Sequence, residues 1–155
     1  MKKIFLTALF AIVCMANAAA QSQLSAEELT FRKGIMSFLS EEGFTPTIDD
    51  DDNSVNFKKE GTLYWINVYG TEPTYIEMHE SGFDIDDTDR TKLLEACNFG
   101  SYDTRCAKAY VTTKSVSFTT EFFVYSVSEF KKVFYDTMRC LNATKTKVKE
   151  HYNDN

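Results

Sequence analysis

Two histidines are the natural place to look for chemistry in this chain, His79 and His151. His79 lies two positions from Glu77, so on a strand both side chains share a face and could pass a proton or hold an ion. Two ligands are too few for zinc, which takes three or four, and no C-x-x-C pair supplies the rest. A Ser-His-Asp or Cys-His arrangement would need His79 as its base, yet no nucleophile elbow such as G-x-S-x-G is present. His151 falls in a polar, Lys-rich stretch and is expected to be solvated. The contiguous acids Asp49-Asp50-Asp51-Asp52 lack the spaced ligands, the glycine and the distant glutamate of a calcium loop. They read as a solvated turn. Asp84, Asp86, Asp87 and Asp89 read as acids at a helix start, where they complement the dipole. No glycine-rich loop precedes a helix, and Asn142-Ala143-Thr144 falls on the body of one. The residues therefore compose no catalytic set and no metal site, and nothing among them asks for a cofactor. A hydrolase with His79 as base stands third among the readings.

The opening residues have the layout of a cleavable export signal. Lys2 and Lys3 are followed by an apolar run from Ile4 to about Met15, then by Ala16-Asn17-Ala18-Ala19-Ala20 and polar Gln21-Ser22-Gln23. The run is shorter than the roughly 20 residues that cross a bilayer, and Cys14 sits inside it, preceded by Val13, rather than at its end. A signal peptide over residues 1–20 is expected, with a single α+β domain over 21–155. Its removal takes two lysines and no acid, leaving 15 basic and 23 acidic residues and a formal charge of −8. Such a chain is a poor match for nucleic acid or an anionic membrane surface, both of which need clustered positive charge. No other apolar run reaches membrane length, so stable membrane insertion is not expected. The place of work is then periplasmic or secreted. In an oxidising compartment the remaining Cys97, Cys106 and Cys140 allow one disulfide. The expected pair is Cys97–Cys106, close in sequence and joined through Gly100; the alternative is three buried thiols.

The elements follow from periodicity and punctuation. Ser25-Ala26-Glu27-Glu28 is a capping box, and Leu29, Phe31, Ile35, Met36, Phe38 and Leu39 make one helical stripe over 26–42, closed by Gly43. Strands are expected at 54–58, 62–69 and 74–80, the last broken by Ser81-Gly82. A helix over 88–97 follows, with Leu93, Leu94 and Cys97 inward and Asn98 and Gly100 ending it. Strands at 106–112 and from Val116 onward come next, the latter alternating Val116, Phe118, Thr120, Phe122 and Val124 with their neighbours. Ser126-Val127-Ser128-Glu129 opens a long last helix, to about His151, buried through Phe130, Val133, Phe134, Met138 and Leu141, with a projecting or fraying end past Asn142. The order is α-β-β-β-α-β-β-α. It predicts one five-stranded, mostly antiparallel sheet with helices packed on one face.

If Ile66, Val68, Ile76, Met78, Phe118 and Phe122 face the helices, the opposite face carries Trp65, Tyr69, Tyr75, Tyr110, Phe123 and Tyr125. Large aromatics on an uncovered face suggest a contact surface. A one-residue slip of register exchanges the faces.

Ile35-x-x-Phe38-Leu39 with Gly43-Phe44, Val55-x-Phe57-Lys58, Ala96-Cys97-Asn98, Ala107-Lys108-Ala109-Tyr110 and the aromatic last helix at Phe130 and Phe134 carry a resemblance. Together with the element order they resemble the type III secretion chaperone-like fold, in particular the YbjN-type bacterial family, over nearly all of residues 21–155. The resemblance implies a non-enzymatic domain that self-associates and binds protein segments. An export signal departs from the cytosolic setting of secretion chaperones. The expectation is an exported interaction domain that is a homodimer or binds another exported protein; a small-ligand carrier is the alternative.

Overall fold

The computed structural model describes residues 24–70, 72–84, 89–113 and 115–154. The expected signal peptide, residues 1–20, lies outside the described residues, as do Asp86 and Asp87. Ser25 opens helix α1 (Ala26–Glu41): its hydroxyl accepts the Glu28 N–H at 3.1 Å, and the Glu28 carboxylate accepts the Ser25 N–H at 2.8 Å. The reciprocal cap satisfies two donors that a helix start leaves free. Ile35, Phe38 and Leu39 of α1 are buried, whereas Leu29 is 43% exposed. Arg32, just under one turn before Ile35, is buried too. Its guanidinium donates to the carbonyls of Asn53 and of Val68, the latter at 2.9 Å.

Six strands follow: β1 (Thr47–Ile48), β2 (Val55–Lys59), β3 (Thr62–Tyr69), β4 (Thr74–Asp84), β5 (Lys108–Val111) and β6 (Ser115–Val124). They form one open antiparallel sheet in the order β1-β2-β3-β4-β6-β5. The expectation of five strands is corrected by β1, which the acidic turn creates. Asp49 and Asp52 accept the N–H groups of Asp51 and Ser54 at 2.9 and 2.8 Å, folding the chain back so that Ile48 pairs with Val55. β4 also does not stop at Ser81. It runs on with a register shift between Ser81 and Asp84, where a Cβ on Gly82 would collide with the Val116 carbonyl oxygen. Glycine here permits a close strand approach.

Helix α2 (Arg90–Thr104) is longer than its local signals suggest, while α3 (Val127–Asp154) ends close to the expected limit near His151. Asn98 and Gly100 lie inside α2, which ends instead at Arg105 with φ of 60°. The reason is a partner: Gly100 faces Val148 and the Thr144 carbonyl on α3, and the Thr104 and Thr144 hydroxyls meet at 2.7 Å. The same contact corrects the expected fraying of α3. Thr144 and Val148 are fully buried, and His151 is not a free polar side chain but stacks on Phe99 with centroids 4.3 Å apart. Leu94 (48% exposed) points away from the core, contrary to expectation, because Ala96 and Gly100 complete the α2 face, and Val133 of α3 (37%) is also turned outward.

The core lies between one sheet face and the helices. Phe57 on β2 meets Phe134 of α3 at 5.8 Å and Phe44 at 5.0 Å, and Phe38 of α1 meets Phe134 edge-on at 5.1 Å. Ile66, Val68, Ile76, Met78 and Phe118 are fully buried beside them. α2 packs on α3 and β5.

Candidate functional site: the open face of the sheet

Alternation sends the other side chains of the same strands to the opposite face. β3 contributes Trp65, Asn67 and Tyr69; β4 contributes Tyr75, Glu77 and His79; β6 contributes Thr119, Glu121 and Phe123; β5 contributes Lys108 and Tyr110. Pairing sets Trp65 across from His79, Asn67 across from Glu77 and Tyr69 across from Tyr75 on β3 and β4. It sets Tyr75 across from Phe123, and Glu77 across from Glu121, on β4 and β6.

These neighbours fall into two groups. The first surrounds His79. The Trp65 and His79 rings stack at 4.8 Å, 1° from parallel. The Tyr110 hydroxyl is 3.5 Å from Nδ1, Asn67 Nδ2 is 3.5 Å from Nε2, and Glu77 Oε2 is 3.6 Å from Nε2. At these separations no contact is a strong hydrogen bond. Only 8% of His79 is exposed. Burial holds the imidazole below the usual histidine value, and Glu77 pulls in the opposite direction. The ring is covered by Trp65, and its hydroxyl neighbour is the phenol of Tyr110. Thr119 stands across from His79, but no bond joins the Thr119 hydroxyl to the imidazole.

The second group is an aromatic row with two carboxylates. Tyr69 and Tyr75 pack at 5.9 Å and Tyr75 and Phe123 at 5.2 Å. Tyr69 and Phe123 are 46% and 65% exposed. Glu77 accepts from Tyr69 and from Asn67, each at 3.2 Å. Glu121 accepts from Lys108 at 2.7 Å, which holds its carboxyl below the usual range. Burial, followed by the Glu121 and Glu77 carboxylates, pushes the Tyr75 phenol up to about 12. The row therefore offers neutral phenols, an open phenyl ring and two carboxylates whose nearest donors are fixed.

Of the six aromatics expected here, Trp65, Tyr69, Tyr75, Tyr110 and Phe123 share the face. Trp65 is engaged with His79 rather than free. Tyr125 lies past the end of β6, and lines a hollow with Phe31, Thr74 and Val127 at the α1 end of the sheet. Sequence reasoning does not single out Asn67, Glu121 or Lys108, although the strand parity of Asn67 and Glu121 matches that of the aromatics beside them. The expected Cys97–Cys106 pair is not formed in this structure. Both are free thiols, Cys97 is buried, and α2 runs straight through Gly100, the position expected to turn the chain back.

On the helix side, Tyr64, Glu80, Met138, Arg139, Asn142 and Lys145 line a cavity of about 360 Å³. Lys145 Nζ reaches Glu80 Oε1 at 2.7 Å and the Ser81 carbonyl at 3.2 Å. Among the described residues no donor meets the other oxygen, Oε2, at good hydrogen-bonding geometry. Among the described residues there is also no group of three His, Cys, Asp or Glu side chains placed to hold a metal ion, and no helix is long and apolar enough to cross a membrane. No protein-family model matches the chain, and no curated protein does.

Proposed function

We propose that this chain is an exported, non-enzymatic interaction domain that pairs with a second copy of itself through the open face of its sheet. One observation carries the reading: Tyr69, Tyr75 and Phe123 form a contiguous aromatic row on strands that no helix among the described residues covers on that side, with Tyr69 and Phe123 about half exposed or more. Aromatic anchors of this kind dominate the energetics of interfaces. The fixed carboxylates of Glu77 and Glu121 and the ammonium of Lys108 give the same patch both signs of charge, as a self-complementary two-fold contact requires. The likeness to the YbjN-type family belongs to this proposal, since self-association is what that likeness implies. Export rests on the opening apolar run and the small residues that close it. The test is sedimentation velocity on residues 21–155 over a wide concentration range. A dimer is expected, with Phe123→Ala weakening it at least about tenfold while the circular dichroism spectrum is unchanged. A monomer at every concentration overturns the reading.

The cavity beneath the sheet supports a second reading, a carrier of a small polar ligand. The Glu80–Lys145 pair at its wall, with Oε2 lacking a well-placed donor, is a site that a ligand hydroxyl or amide could complete. Native mass spectrometry of the protein from its producing cells decides it: a retained small molecule favours the carrier, a bare chain excludes it.

A further inference from the structure

The turn after α2 and the middle of α3 are pinned together. The Thr104 and Thr144 hydroxyls lie 2.7 Å apart, and Thr144 also donates to the Cys140 carbonyl at 3.0 Å. Cys106 is two residues past the first threonine, and Cys140 is one helical turn before the second. Arg105, in the left-handed region at φ of 60°, reverses the chain between them. The segment after it is fastened: Thr120 donates its hydroxyl to the Cys106 carbonyl at 3.1 Å, and the Ala109 N–H donates to the Ser101 hydroxyl at 2.8 Å. Gly100 against Val148 and Thr104 against Thr144 set an antiparallel run whose next step brings Cys106 alongside Cys140 as its neighbour. Cys106 is exposed and Cys140 partly so, while Cys97 is buried in the α2–α3 contact.

We propose that Cys106 and Cys140 are a disulfide-forming pair that staples the start of the β5–β6 hairpin to α3, with Cys97 left as a structural thiol. The inference shares with the preceding section only the oxidising compartment, and does not depend on the sheet face. The oxidant is a small disulfide of the glutathione type. The Cys106 thiolate attacks one of its sulfurs and expels a small thiolate, giving a mixed disulfide. The Cys140 thiol then loses its proton, and its sulfur attacks that of Cys106 and expels the second small thiolate. Both released thiolates take up the protons of the two cysteines, so two protein thiols and one small disulfide become one protein disulfide and two small thiols. Exposure assigns the first step to Cys106. Burial, with Cys106 beside it, raises the Cys140 thiol to about 11, which suits it to the second, intramolecular step. Burial alone raises Cys97 to about 11, and that thiol stays out of reach.

The test is to oxidise folded residues 21–155 with glutathione disulfide, block remaining thiols, digest, and map the linked peptides. A single Cys106–Cys140 link is expected, with Cys97 blocked only after unfolding. The melting temperature should rise by roughly 10 °C on oxidation, and Cys106→Ser or Cys140→Ser should each abolish that rise, while Cys97→Ala keeps it. A Cys97–Cys106 link, three blockable thiols, or glutathione left attached at Cys106 overturns the pair. The protein taken directly from its producing cells separately tests the compartment: free thiols there, with a link formed in the tube, refute export and leave the pair standing.

Discussion

The Glu80 carboxylate, 1% exposed, has a single well-formed ion-pair partner in the Lys145 ammonium at 2.7 Å, itself only 14% exposed. Burial removes water from both charges, so each depends on the other. Lys145→Met should lower unfolding free energy in urea by about 3–5 kcal/mol, because it strands a buried carboxylate. Pairing it with Glu80→Gln should recover part of that loss, by removing the stranded charge. His79 gives a prediction in pH. Its ring titrates near pH 6.5 in an unfolded chain and lower in the fold, where burial disfavours the cation. Between those values the unfolded chain binds the extra proton, so stability rises with pH through the window and falls as pH drops below about 6.5. The carboxyls of Glu28 and Glu121, held low by the Ser25 and Gly70 N–H groups and by Lys108, act in a separate window at lower pH. Melting temperatures between pH 5 and 7 should show the histidine slope in the wild type and a flatter profile in His79→Gln. Equal slopes in the two proteins would remove the burial argument.

Elements are held by close approaches that a single methyl group can test. A Cβ on Gly100 would sit 2.5 Å from Val148 Cγ2, 3.1 Å from the Val148 nitrogen and 3.2 Å from the Thr144 carbonyl oxygen. Helix propensity favours Gly100→Ala by about 1 kcal/mol, but two of the three obstacles are backbone atoms. Overpacking should win, with a net loss of about 1–2 kcal/mol in chemical denaturation. The same contact shows what was legible from sequence. β6 and the aromatic parity of β3 and β4 could be read because each strand repeats its alternation several times. The capping box of α1 could be read because its two bonds are local. The length of α2 could not: Asn98 and Gly100 are stop signals by themselves, and only Val148, far along the chain, overrules them. β1 has two residues and so no period to detect. At the candidate site the aromatics announced themselves, whereas Asn67, Glu121 and Lys108 look like the polar residues any solvated strand face carries. Tyr125 kept the parity of Phe123 but not its strand.

For the whole molecule, export and pairing make separate predictions. Intact mass of the protein recovered outside the cytoplasm should correspond to a chain starting at Gln21; a mass that includes Met1 would refute removal of the leader. The sheet itself bears on how large an assembly could grow. One margin is β1, with two residues, and the other is β5, with four, whose Lys108 ammonium stands at the border. Such stubs give an incoming backbone little to zip against. Copies that meet broad side to broad side hide from a third what it would need to join. Under the proposed pairing growth would halt there, and crowding such a protein would fill a solution with finished couples instead of threads.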